Sequence, residues 1–276
     1  MRYLGNNISK TVNNHVLKYN EEGPFTAPVI IFIHGFPLNK SMWNPQMEAL
    51  KNDYRVIAYD IRGHGKSEPG EMEFSMNLFA IDLIHLMDAF YIHKAILCGL
   101  SMGGYIALNA IENYPNRFSA LVLCDTTCKA DPASVIDKRM QTIRELQDEG
   151  VENYADESLQ KLFAPESFTK RVYEVESVRK MIVKNPVHSI INTLRALTTR
   201  NESCSKLNEI HVPVLIMVGE EDVITPPAMA QLMHEKIPNS TLEIIPHAGH
   251  LSNLENPSAF NEKLREFLSS VKLSQA

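Results

Sequence analysis

The sequence has no long apolar run and no excess of positive charge, and each absence excludes a class of protein. No stretch approaches the roughly 18 apolar residues of a membrane-spanning helix, and residues 1–14 lack the apolar core of a secretory signal. Lys and Arg number 27 against 33 Asp and Glu, a formal net charge of −6. A mildly acidic chain offers no basic surface to nucleic acid or to an anionic membrane. We therefore expect neither as a partner.

Cysteine is also scarce, with only Cys98, Cys124, Cys128 and Cys204 in 276 residues. Cys98 and Cys124 stand in apolar runs typical of buried strands, and no C-x-x-C spacing indicates a metal site. We interpret these two as small core side chains, which favours a protein of the reducing cytoplasm. Apolar residues make up 44% and charged residues 22%, the balance of an ordinary globular chain with one sizeable core.

Short apolar runs separated by helical patterns dominate the chain. Six runs rich in Val, Ile and Leu are Val29–Ile33, Arg55–Tyr59, Ala95–Cys98, Ala120–Cys124, Val214–Val218 and Thr241–Ile245. Continuous rather than alternating apolarity is typical of parallel strands buried on both faces. Helical spacing follows several runs, for example after the capping residue Ser75. The pattern predicts an α/β fold, a mostly parallel sheet with helices on both faces, and indicates weakly an antiparallel hairpin in residues 1–20.

The alternation of strands and helices is interrupted in residues 127–207, which contain no convincing strand. Four helical stretches stand there instead: Ala133–Glu149, Tyr154–Phe163, Lys170–Lys184 and Val187–Thr198. We interpret this block as a helical cap inserted into a core formed by residues 1–126 and 208–276. Open α/β sheets bind their ligands at the carboxyl edge of the strands, and the cap is expected to lie over that edge.

The clearest motif is Gly99-Leu100-Ser101-Met102-Gly103, which follows one apolar run and precedes a helical pattern. This context is typical of a nucleophile elbow, a strand-to-helix turn too tight for side chains at the flanking glycines Gly99 and Gly103. The Ser101 hydroxyl would be exposed for attack, and the amide of Met102 at the start of the helix could face a developing oxyanion. The alternative is a glycine-rich turn with an incidental serine.

Two other strand-end turns contain candidate residues. His34-Gly35-Phe36-Pro37 follows the run Val29–Ile33, and the amide of Phe36 is the expected second oxyanion donor because Pro37 has no N–H. An ordinary turn is the alternative there. Residues 60–65, with sequence DIRGHG, are interpreted as a salt-bridged structural loop rather than as catalytic groups.

A base and an acid follow the last two apolar runs. His250 is the candidate base and Asp222 the acid that would orient it, because both follow strands that end at the same sheet edge. The chain has ten histidines, so His250 is preferred for its place after the final strand and for the order Ser, acid, His. His247 remains an alternative base, and Asp125, at the end of the preceding strand, an alternative acid.

The motifs HGFP, DIRGHGKS, GLSMGG, GEEDVITPP and HAGH, in that order, resemble the α/β-hydrolase superfamily over nearly the whole chain. The likeness is to small carboxylesterases, 3-oxoadipate enol-lactonases and cofactor-free haloperoxidase-like perhydrolases. It implies an eight-stranded, mostly parallel sheet with a cap after the sixth strand. It also implies a Ser101, His250 and Asp222 triad, with the amides of Phe36 and Met102 as oxyanion hole.

The expected activity is hydrolysis of small carboxylic esters or lactones through an acyl-serine, with no metal or organic cofactor. Enol-lactonase or carbon–carbon bond hydrolase activity is one alternative, and a receptor-like protein that binds a small molecule and turns it over slowly is another. Dehalogenases and epoxide hydrolases are excluded because Ser101 stands where they have aspartate. The oligomeric state stays open.

Candidate substrate contacts lie in the cap, whose apolar residues predict an apolar pocket. The residues that could line it are Leu146, Leu159, Leu162, Phe163, Met181 and Ile190, with packing inside the cap as the alternative. The cations that could bind a substrate carboxylate are Arg171, Arg179, Arg195 and Arg200, with solvated faces as the alternative.

Overall fold

One eight-stranded sheet organises the chain in a computed structural model that describes residues 2–271. In chain order the strands are β1 (Arg2–Val12), β2 (His15–Pro24), β3 (Val29–Ile33), β4 (Arg55–Tyr59), β5 (Ala95–Leu100), β6 (Phe118–Cys124), β7 (Val214–Gly219) and β8 (Ser240–Ile245). Their order in the sheet is β1-β2-β4-β3-β5-β6-β7-β8. Residue 1 and residues 272–276 of the predicted core lie outside the described residues.

The sheet is parallel except around β2, which pairs in antiparallel fashion with both β1 and β4. All pairs from β4 to β8 are parallel, so the predicted fold class is confirmed. The weakly indicated hairpin is also present and is formed by β1 and β2. Its turn residues Asn13 and Asn14 have φ of 45° and 62°, a left-handed conformation that asparagine tolerates in tight hairpin turns.

Helices cover the sheet on both faces. In chain order they are α1 (Asn44–Leu50), α2 (Met76–Ala89), α3 (Met102–Asn113), α4 (Ala133–Glu149), α5 (Val151–Leu162), α6 (Ser167–Lys170), α7 (Val172–Val183), α8 (Val187–Thr198), α9 (Pro227–Lys236), α10 (Ser252–Glu255) and α11 (Pro257–Ser270). Alternate residues of β3 point to opposite faces. Ile31 and Ile33 join the apolar core under α2 and α3, whereas Ile30 and Phe32 join the core under α1 and α11. Within residues 2–271, every helix is too short or too polar to span a bilayer.

Residues 127–207 lie between β6 and β7 and contain helices α4 to α8 joined by loops, without a strand; a 3₁₀ helix, Leu207–Glu209, follows. The predicted helical stretches are therefore confirmed, while the division into a core and a cap stays a prediction. A disulfide joins Cys128 to Cys204 at the two ends of this helical insertion. This pairing is not predicted from the sequence. The expected core positions of Cys98 and Cys124 are confirmed, and both are buried free thiols.

Candidate active site

Ser101 occupies the turn between the end of β5 and the start of α3, where its backbone has φ 54° and ψ −115°. This conformation is strained for a residue with a side chain and is retained where the surrounding chain enforces it. The backbone on both sides of Ser101 is packed so closely that only glycine fits at the flanking positions. A Cβ on Gly99 would lie 2.3 Å from the carbonyl oxygen of Gly103, and a Cβ on Gly103 would lie 2.1 Å from that of Ile33. Only glycine fits at either position.

Three side chains from separate strand ends form one hydrogen-bonded chain. The His250 Nε2 atom lies 2.8 Å from Ser101 Oγ, and His250 Nδ1 lies 2.8 Å from Asp222 Oδ2. A carboxylate can only accept, so Nδ1 carries the hydrogen and Nε2 is left to accept the proton of the hydroxyl. Asp222 and His250 are buried, whereas Ser101 is half-buried. The serine is therefore the member of the chain that a substrate can reach.

The Asp222 carboxylate is held in its charged form. Its Oδ1 accepts hydrogen bonds from the amides of Ile224 and Thr225, and its Oδ2 accepts one from the Thr225 hydroxyl. Burial alone would raise the pKa of Asp222. The charge and hydrogen bond of His250, together with the bonds from Thr225, outweigh it and lower the pKa below its ordinary value. A charged acceptor at this position holds the Nδ1 hydrogen and fixes the orientation of the ring.

Neither of the two alternative residues takes part in this hydrogen-bonded chain. His247 is exposed. Asp125 is buried at the end of β6, where its Oδ1 accepts from the amide of Gly219 and its Oδ2 from the hydroxyl of Ser252. Burial and the nearby charge of Asp222 raise the pKa of Asp125 well above its ordinary value. Both oxygens of Asp125 thus join backbone segments, and Asp222 is the carboxylate that contacts the imidazole.

The two predicted oxyanion residues, Phe36 and Met102, line one cavity of about 760 Å³ together with Ser101 and His250. The loop that carries Phe36 is held by a buried histidine ring. His34 Nδ1 lies 2.9 Å from the carbonyl oxygen of Gly35, and its Nε2 accepts a hydrogen bond from the amide of Ile61. The loops after β3 and β4 are therefore joined beside the serine.

Asn185, between α7 and α8, binds the same two loops from the side of the helical insertion. Its Nδ2 donates to the carbonyl of Pro37, and its Oδ1 accepts from the amide of Gly65. The side chain is buried. An Asn-Pro pair between helical stretches indicates only a turn, so this role of Asn185 could not be predicted from the sequence.

Residues 60–65 have the structural role that was expected of them. Asp60 forms a buried ion pair with Lys40 at 2.6 Å, and Arg62 binds the Asp82 carboxylate with two hydrogen bonds of 2.7 Å.

Within residues 2–271, no cluster of three or more His, Cys, Asp or Glu side chains is arranged to hold a metal ion.

For most of the cap candidates the structure bears out packing inside the insertion rather than contact with the cavity. Leu162 alone of the six apolar candidates lines the cavity, and the other five are buried in packing between helices because apolar helix residues serve either purpose. None of the four arginines lines the described part of the cavity. Arg179, for example, pairs at the surface with Asp156, and Arg200 pairs with Asp131. The cations that do line the cavity are Lys129, Lys138, Arg139 and Lys161.

Comparison with known proteins identifies the family of the chain. Residues 28–257 match the family model for the alpha/beta hydrolase fold, and the chain belongs to that family. It is 31% identical over 251 residues to 3-oxoadipate enol-lactonase 2 of Acinetobacter baylyi, covering 91% of this chain and 92% of that protein. A thermophilic esterase from Thermogutta terrifontis superimposes with a TM-score of 0.91 and 30% identity, covering 99% of this chain and 100% of that one. The enol-lactonase from Burkholderia xenovorans LB400 superimposes with a TM-score of 0.89 and 27% identity, covering 95% of this chain and 100% of that one. The protein is a hydrolase of this family.

Proposed function

We propose that the protein hydrolyses carboxylic esters or lactones through an acyl-serine intermediate, with Ser101 as nucleophile, His250 as general base and Asp222 as its orienting acid. The observation that carries the proposal is the unbroken chain of these three side chains, with 2.8 Å at each step. A hydroxyl whose proton can pass to an adjacent imidazole is what acyl transfer requires. The esterase and enol-lactonase relatives support the same chemistry.

In the first half of the reaction His250 takes the proton of Ser101 while the oxygen attacks the substrate carbonyl. The resulting oxyanion is stabilised by the backbone N–H groups of Phe36 and Met102, and loss of one such donor typically costs about 100- to 1000-fold in rate. His250 then gives its proton to the leaving alkoxide, which departs as the alcohol. In the second half, water attacks the acyl-serine by the same route and releases the acid.

We also propose that the helical insertion, residues 127–207, acts as the cap and that the cations of the cavity wall favour substrates with a carboxylate. Lys129, Lys138, Lys161 and Arg139 line the cavity with a single acidic residue, Asp131. That one carboxylate is bound by Arg139 and by Arg200 from behind the wall. The wall therefore has an excess of positive charge although the whole chain is acidic. Enol-lactonase activity is the second candidate, since 3-oxoadipate is a dicarboxylate.

The Ser101→Ala variant tests the proposed activity on p-nitrophenyl acetate, p-nitrophenyl butyrate and a panel of lactones. We expect a loss of kcat of about 10⁴-fold or more with an unchanged circular dichroism spectrum. An active Ser101→Ala enzyme would refute the assignment. Slow single turnover with retained product in the wild type would instead favour the receptor-like alternative.

The charge proposal is tested with Lys129→Met, Lys138→Met and Lys161→Met, singly and combined, and with a control, Lys94→Met. Lys94 is exposed and precedes β5, at the opposite edge of the sheet. Each exposed cation typically contributes about 0.5 kcal/mol, so for the triple variant, which loses about 1.5 kcal/mol in all, we expect about a tenfold higher KM for methyl hydrogen glutarate. KM for methyl butyrate should not change. An equal effect on both esters, or an equal effect of Lys94→Met, would contradict the proposal.

A further inference from the structure

One buried carboxylate, that of Glu255 in α10, joins the helical insertion to the loop after β8. Its Oε1 accepts hydrogen bonds from the amides of Gly249, at 2.8 Å, and Leu251, at 3.3 Å. Its Oε2 accepts from the amide of Ala164 and the hydroxyl of Ser167, both at 2.7 Å. One side chain therefore collects four donors, two from each of two segments that are far apart in sequence.

The segment bound by Oε1 is the one that contains the proposed base. Gly249 and Leu251 are the two neighbours of His250, so Glu255 holds the backbone on both sides of the imidazole. The amide of His250 itself donates to the carbonyl of Leu162 in the insertion, at 3.1 Å. Gly249 also lies directly against the insertion, because a Cβ built on it would be 2.6 Å from the amide nitrogen of Ala164.

The partners of the Glu255 carboxylate are hydrogen-bond donors without a formal charge. Among residues 2–271 no cation forms an ion pair with Glu255, and the residue is 3% exposed. Burial raises the pKa of Glu255, and the hydrogen bonds that it accepts act in the opposite direction. A buried carboxyl without a cation is unfavourable for folding unless hydrogen bonds compensate for it. Three of its four partners are backbone N–H groups, which can only donate, so a neutral amide could not satisfy all four.

We propose that Glu255 is a positioning residue that fixes the His250 loop against the helical insertion and so makes the insertion a part of the active-site framework. The inference rests on the proposed function, in which His250 is the general base. The imidazole must stay within hydrogen-bond reach of Ser101 through both half-reactions, and a displacement of about 1 Å in such a group can cost about 100-fold in rate. Nothing in the triad binds the backbone on either side of His250, whereas Glu255 binds both sides.

The test compares Glu255→Gln with Glu262→Gln, a matched control because Glu262 is exposed on the next helix. In Glu255→Gln an NH2 group replaces one of the two carboxylate oxygens and faces the N–H donors that this oxygen bound. The hydrogen bonds to one of the two segments are therefore lost. We expect kcat to fall by about 10- to 100-fold with KM within twofold of the wild type, and Glu262→Gln to match the wild type. To obtain kcat, each maximal rate is divided by the concentration of active sites, titrated with a fluorophosphonate. This removes the effect of any unfolded fraction.

A merely structural role would lower the titrated fraction and the Tm but leave kcat per active site unchanged, and that result would overturn the inference. If Glu255→Gln does not fold, Glu255→Asp replaces it, since the shorter carboxylate keeps the charge but cannot reach both segments. The same loss of kcat is expected, and a wild-type value would be equally contrary. Ser167→Ala removes one donor on the insertion side only and should lower kcat by less than about threefold. Ser101→Ala measured alongside separates the two proposals, because an active Ser101→Ala enzyme refutes the proposed function itself.

Discussion

Replacing Asp222 by asparagine changes one atom at the end of the Ser101–His250–Asp222 chain, and the surrounding donors decide where the new amide nitrogen lies. The Oδ1 position accepts two backbone N–H groups, from Ile224 and Thr225. An NH2 group there would leave both donors unsatisfied, at about 1–3 kcal/mol each. The amide oxygen therefore stays at Oδ1, and the NH2 group faces His250.

The consequence for rate follows from the tautomer of the imidazole. An NH2 group at the Oδ2 position donates to His250 Nδ1, and the Thr225 hydroxyl beside it can rotate to accept the second hydrogen. His250 must then carry its own hydrogen on Nε2, the nitrogen that should receive the proton of Ser101. Loss of the correct tautomer typically lowers kcat by about 10⁴-fold, which corresponds to about 5 kcal/mol of transition-state stabilisation.

The measurement is kcat for p-nitrophenyl butyrate per titrated active site, in Asp222→Asn and in Asp125→Asn as the matched control. Both variants exchange a buried carboxyl for an amide, but only Asp222 contacts the imidazole. We expect a loss of about 10⁴-fold in the first and less than about threefold in the second. An Asp222→Asn enzyme within tenfold of the wild type would refute the reasoning, and a large loss confined to Asp125→Asn would make Asp125 the acid.

Three further changes test the buried carboxyl, the elbow and the disulfide. The raised pKa of Asp125 means that its stabilising contribution is present below its ordinary pKa of 3.8 and is lost as pH rises through the folded value. Asp125→Asn should therefore gain stability over the wild type by about 1.4 kcal/mol per pH unit in that window, measured by urea denaturation; a pH-independent difference would contradict this. Gly103→Ala places a Cβ 2.1 Å from a carbonyl oxygen of β3 and should lose about 1–3 kcal/mol or fail to fold, and a wild-type Tm would refute the steric argument. The double variant Cys128→Ser, Cys204→Ser opens a link across a sequence separation of 76 and should lose about 4 kcal/mol in urea, whereas equal stability with and without reductant would show that the link contributes nothing.

The sheet and the three proposed catalytic residues could be predicted from the sequence because parallel strands leave a strong local signature. A run such as Val29–Ile33 is continuously apolar since both faces are buried, and the residue after it must lie at the carboxyl edge. Ser101 follows the same rule directly. Asp222 and His250 follow it through the loops after β7 and β8. Because each of the three residues follows a parallel strand in the sequence, all three could be placed at the carboxyl edge of the sheet.

The contacts of the helical insertion could not be predicted in that way. Met181 and Leu162 have the same helical pattern, yet Met181 packs inside the insertion and Leu162 lines the cavity. The difference depends on how the helices are placed over the sheet, which no local pattern encodes. The same holds for Cys128 and Cys204, and for Glu255, whose four donors come from residues 164–167 and 249–251 and meet only in the folded chain.

The roles of the two neighbouring acids also depend on surroundings that only the fold supplies. Asp125 and Asp222 are both buried and repel each other, so their ionisation is unequal. Asp222 has three hydrogen bonds from its own loop and the imidazole of His250, whereas Asp125 has two neutral donors and no cation. The pKa of Asp222 is therefore the lower of the two, and Asp125 serves as a link between the end of β6, the end of β7 and Ser252. If so, the double variant Asp125→Asn, Asp222→Asn should be no slower than Asp222→Asn alone. A further tenfold loss would mean that Asp125 shares the task of orienting the base.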